Sequence, residues 1–117
     1  MAESRDLKDR TKKFAVAIIR LVDKLPRSIA SEVIARQLVR SATSIGANYR
    51  AACRGRSKAE IIAKLQIVLE ESDEAQYWLE LLLELELLDT GILRASIREA
   101  DELTAIFVSA LKTARSK

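Results

Sequence analysis

Apolar residues recur along this chain at three- and four-residue spacings, and the pattern is interrupted at only a few places. Phe14, Ile18, Leu21 and Leu25 fall on one helical face, with Leu7 two turns earlier, which predicts a first helix from about Ser4 to Leu25. Pro26 closes it, because proline cannot donate to a continuing helix. A second helix starts near Ser28 or Ser31 and carries Ile34, Leu38, Ala42, Ile45 and Tyr49 on one stripe. It ends at Cys53-Arg54-Gly55, where the glycine terminates it. Gly46 and Ala47 within it are small enough to let another helix approach closely. Ser57 followed by Glu60 is a capping box, and it leads into Ile61, Leu65, Val68, Leu69 and Ser72. This third helix is predicted to continue to Leu88, with Gly91 as its stop. A fourth, from about Ile92 to Ala114, places Leu93, Ile97, Leu103, Phe107, Ala110 and Leu111 on one side.

The connections around Pro26, Gly55 and Gly91 are too short to carry the chain back along a helix, so consecutive helices should run antiparallel. The expected fold is all-α, an up-down-up-down four-helix bundle. At 117 residues it forms a single domain, 1–117, without room for a second core.

The third helix departs from a one-stripe pattern. Leu79, Leu82, Leu83 and Leu87 lie on one side, and Tyr77, Trp78, Leu81, Leu85 and Leu88 lie nearly opposite. A long helix deep in its own bundle would account for this. A subunit interface anchored on Tyr77 and Trp78 accounts for it better, because aromatic residues are favoured at such contacts.

Composition narrows the chemistry. The chain is 49% hydrophobic and 32% charged with one Pro and three Gly, a profile of helices with solvated faces. Histidine is absent, which removes the commonest general base and metal ligand, and a ferritin-like di-iron site with it. Haem ligation is disfavoured too, since Met1 is the only methionine. Cys53 is the only cysteine, so no internal disulfide forms, and a small buried hydrophobe is its expected role. Glu70 and Glu74 share a face at i,i+4, as paired-carboxylate chemistry or a divalent ion would require, although a solvated charged face also explains them. Ser41, Thr43 and Ser44 have no base partner in the local pattern, and no glycine loop cradles a phosphate. No catalytic residue, metal or cofactor is therefore expected. The longest charge-free runs, Ser41–Tyr49 and Leu103–Leu111, are far below the ~20 apolar residues that span a bilayer, and the polar MAESRDLKDRTKK start lacks a signal-peptide core. A cytoplasmic location without membrane contact is the expectation.

Charge is unevenly distributed. The first 66 residues hold 15 Lys or Arg against 6 Asp or Glu, and the remainder hold 5 against 11. In an antiparallel bundle the start of the first helix, the turn between the second and third, and the end of the fourth share one pole. That pole collects Arg5, Lys8, Arg10, Lys12, Lys13, Arg50, Arg54, Arg56, Lys58, Lys64, Lys112, Arg115 and Lys117, opposed by Glu3, Asp6, Asp9 and Glu60. Such a surface attracts a phosphate backbone through counterion release, without reading sequence. A solubilising surface or an acidic protein partner would also suit it. Tyr49 is the one aromatic interleaved with these cations, so a base-stacking platform is poorly supported.

The segment Gln37–Leu82 resembles the central part of the bacterial four-helix-bundle family that includes proteins encoded in intervening sequences of large-subunit rRNA genes. The resemblance lies in Arg40-Ser41, Ser44-Ile45 and Ala47-Asn48, in the Arg54–Lys58 turn, and in Glu74-Ala75-Gln76-Tyr77-Trp78-Leu79. It implies a left-handed up-and-down bundle, a ring-like homopentamer and no established enzymatic activity. A related branch comprises accessory proteins of diversity-generating retroelements, basic pentamers that associate with nucleic acid and a reverse transcriptase. Two positions depart from the family pattern: Ala51 stands where many members carry Glu, and Glu86-Leu87 stands where a Gly-Tyr pair often ends the third helix.

The combined expectation is a non-enzymatic homo-oligomer that binds structured RNA, in preference to DNA, through Arg50, Arg54, Arg56, Lys58, Lys8, Lys12, Lys13 and Arg115. A protein scaffold without nucleic-acid contact is the alternative. The expected subunit interface is Tyr77, Trp78, Leu81, Leu85 and Leu88.

Overall fold

The computed structural model describes the backbone of residues 2–117 and side chains from Arg5 onward; Met1 and the Glu3 side chain lie outside the described residues. The described residues form four helices and no strand: α1 (Ala2–Val22), α2 (Ile29–Cys53), α3 (Lys58–Leu85) and α4 (Thr90–Ser116). They build a rod of 46 × 23 × 19 Å.

Each boundary has a chemical cause. α1 stops at Val22, three residues before the expected Leu25, and Lys24 and Leu25 donate instead to Leu21 and Val22 in tight turns of 3.1 Å ahead of Pro26. Ser28 caps α2, its Oγ accepting from Ser31 N–H at 3.0 Å. Ser57 caps α3 by accepting from Glu60 N–H at 3.1 Å, while the Glu60 carboxylate reaches back to Arg56 N–H at 3.4 Å, one residue beyond the usual capping-box partner. α3 ends at Leu85 and not at Leu88. Glu86 turns the chain in the left-handed region, φ 55°, and donates to Leu83 O at 3.2 Å. Gly91 is not the stop of α3. It lies in the first turn of α4, where its N–H donates to the capping Asp89 side chain at 2.7 Å.

α2 packs against α1 and α3, α3 against α2 and α4, and α1 makes a thin seam with α4. Phe14, Ile18 and Leu21 from α1 are buried with Ile34, Leu38 and Ile45 from α2, Leu65, Val68, Leu79 and Leu82 from α3, and Leu93, Leu103, Phe107 and Leu111 from α4. Tyr49 tilts on Phe107 with ring centroids 5.4 Å apart. Gly46 lets α1 come close, since a Cβ there would lie 3.1 Å from Thr11 Oγ1. Ala47 has no such role and is exposed. Between α3 and α4 the buried Ser72 hydroxyl meets Thr104 Oγ1 at 2.7 Å, and Thr104 donates to Ala100 O at 2.7 Å.

Cys53 corrects an expectation. It is exposed, because its neighbour Ala52 takes the inward position in the last turn of α2.

Candidate nucleic-acid interface

The densest cationic segment spans the α2–α3 turn. Arg50 sits in the last turn of α2, Arg54 is its C-cap, and Arg56 and Lys58 flank the Ser57 cap of α3. The turn is shaped by Gly55, where a Cβ would come within 2.4 Å of Ile61 Cγ1. Arg54 and Gly55 N–H groups satisfy Ala51 and Ala52 carbonyls at 3.1 and 3.0 Å. With the backbone thus occupied, the four cationic side chains point outward, and all are exposed. Among the described residues none of them pairs with a carboxylate side chain, the ion pairs there involving only Arg10 and Arg40.

The other proposed contact residues differ in availability. Lys12 and Lys13 are exposed on α1, and Lys8 is half-buried. Arg115 donates to Gln66 Oε1 at 2.8 Å, and Lys58 Nζ donates to the Lys117 main-chain oxygen at 2.7 Å, so each is held in place without losing its charge. Arg10, counted above among the cations of the pole, is neutralised. Its guanidinium donates to both oxygens of Glu99 at 2.7 Å and to Glu102 at 3.0 Å, and the Glu99 hydrogen bond raises its pKa above the usual arginine value.

The acidic cluster on α3 also rearranges the expectation. Glu74 pairs with Glu71, not with Glu70, across the Arg40 guanidinium of α2, which donates to Glu71 at 2.8 Å and to Glu74. The hydrogen bond to Glu74 is the main cause that raises the Arg40 pKa. Glu70 is exposed and outside this pairing. No group of three metal-ligating side chains gathers among the described residues. The hydroxyls of Ser41 and Thr43 donate to Gln37 O and Val39 O at 2.7 Å within α2, and Ser44 Oγ accepts from Asn48 at 2.8 Å.

The second stripe of α3 is divided by depth. Tyr77 is 56% and Leu85 46% exposed, whereas Trp78, Leu81 and Leu88 are half-buried against the core. The chain's own core therefore covers part of Trp78. Its indole N–H donates to Glu74 at 3.1 Å, and Tyr77 meets it edge-on with centroids 5.0 Å apart. Sequence reasoning did not find the Arg10–Glu99 seam or the Arg40–Glu71–Glu74–Trp78 network; of these only the i,i+4 spacing of Glu74 and Trp78 could have signalled one.

Four helices and an exposed cationic turn between α2 and α3 define an all-α protein. The chain matches the family model described as 23S rRNA-intervening sequence protein over residues 3–109, and it belongs to that family. It is similar to a crystal structure titled as a protein with unknown function from the S23 ribosomal protein family of Bacteroides thetaiotaomicron. The two share 36% sequence identity over 93% of this chain and 97% of that chain, with a TM-score of 0.85. Among curated proteins none matches. No described helix is long and apolar enough to cross a membrane.

Proposed function

We propose that this protein is a non-enzymatic, cytoplasmic homo-oligomer that binds structured RNA through its cationic pole. The observation that carries the reading is the outward display of Arg50, Arg54, Arg56 and Lys58 around one turn, without carboxylate side-chain partners among the described residues. Lys12, Lys13 and Arg115 extend this surface, and half-buried Lys8 adds to its edge. Binding of this kind neutralises backbone phosphates and reads no base sequence.

The reading includes an antiparallel, left-handed up-and-down bundle. Ser72 with Thr104 and Gln66 with Arg115 support the antiparallel part, since positions descend on α3 as they rise on α4. It also includes a homopentamer closed over the Tyr77, Leu81, Leu85 and Leu88 face. Exposed Tyr77 and Leu85 support that face, and five copies of the pole on one rim would turn weak phosphate contacts into avid binding.

Charge reversal at Arg54, Arg56 and Lys58 tests the reading. Loss of binding to an rRNA fragment is expected, and unchanged binding would remove this turn as the site.

A further inference from the structure

We propose that the cleft between the start of α1 and the end of α4 is a docking groove for an acidic amphipathic helix of a partner protein. The cleft measures about 940 Å³ and opens where the α1–α4 seam is thin. One wall is the apolar line Ile106, Ala110 and Ala114 of α4, at i, i+4 and i+8, and Leu7 of α1 and Ile61 of α3 line the cleft as well. From Ile106 to Lys117 the wall runs ~17 Å, about three helical turns. Small residues along it allow a helix backbone to come near, as in close-packed bundles.

Charge identifies the occupant. Lys58 and Lys117 close the polar end of the groove, and exposed Arg54 and Arg56 stand on the turn that precedes Lys58. Acidic side chains on the last turn of an incoming helix would meet them. Asp6 lines the cleft as well, which repels phosphate along the groove and fixes which flank of the helix carries the acids. The mostly apolar lining likewise favours an apolar helix face over nucleic acid, whose phosphates gain nothing there. The groove shares Lys58, Arg54 and Arg56 with the proposed RNA surface, while its apolar wall on α4 lies apart from that surface.

The test uses the full chain and two fluorescent synthetic helical peptides, each with leucines at i, i+4 and i+8. One ends in glutamates and the other in lysines, and binding is read by anisotropy. Ser109 and Thr113 also line the cleft and are exposed, so Ser109→Trp and Thr113→Trp fill it without entering the core. The glutamate peptide is expected to bind at least about tenfold more tightly than the lysine peptide, and each tryptophan variant to weaken it by a similar factor. Lys58→Glu, which suits the first turn of a helix, should narrow or reverse the preference between peptides. Absence of binding by the glutamate peptide, or equal binding to wild type and to both tryptophan variants, would overturn the proposal. A fall in oligomer mass on Ser109→Trp would overturn it too, because the groove would then hold a second copy.

Discussion

Arg10 of α1 grips Glu99 of α4 through two parallel hydrogen bonds of 2.7 Å, bridging residues at opposite ends of the sequence. The seam they cross is the thinnest in the molecule, and the bridge closes the helix ring there. Both side chains remain about one-third exposed, at 35% and 30%, so solvent weakens the pair. Replacement of Arg10 by Leu should cost about 1 kcal/mol and loosen α1 first, visible as faster amide exchange in α1 than in α3. The raised arginine pKa places the associated stability below the ordinary titration of arginine, where it is complete; it is lost only in strong alkali. The guanidinium therefore adds no slope to stability near neutrality.

Two hydroxyls predict opposite responses. Ser31 Oγ is buried without a hydrogen-bond partner among the described residues, so Ser31→Ala should be neutral or stabilise by up to about 1 kcal/mol. Thr104 Oγ1 links Ser72 to α4, and Thr104→Val should cost about 1 kcal/mol, since Ser72 then keeps only its longer 3.5 Å hydrogen bond to Ala100 O. Urea midpoints of the two variants check the contrast.

The exposed and half-buried aromatics separate assembly from stability. Tyr77→Glu charges a mostly exposed surface and should lower the native mass without loss of helicity, as light scattering and circular dichroism would report. Trp78→Glu should also lower the melting temperature, because Trp78 packs on the core and the new carboxylate would face Glu74. A native-mass Tyr77→Glu variant would remove Tyr77 from the interface.

Local punctuation and period were legible in the sequence wherever a short-range rule governs. Ser57 and Pro26 bound their helices near the expected places, and the stripes of α1, α2 and α4 supply the core. The end of α3 was hidden because leucines continue through the turn: Leu87 and Leu88 still pack on the core after Glu86 has broken the helix. Cys53 and Ala52 differ by one position, and composition favours burial of either; helix phase decides it. The cationic turn was readable because its residues are contiguous. The Arg10–Glu99 and Arg40–Glu71 pairs depend on which helices become neighbours, and the cleft depends on how far α1 stands from α4, so neither has a local signature.

Salt dependence of RNA binding tests the central claim most directly. Nuclease-treated protein would be titrated with a structured rRNA fragment at several salt concentrations, beside the variant with Arg54, Arg56 and Lys58 reversed to glutamate. The account predicts that affinity falls steeply and log-linearly with salt, by a slope of about one per neutralised phosphate, and that the variant shows weaker binding and a shallower slope. No binding at low salt, or identical curves for the two proteins, would contradict it.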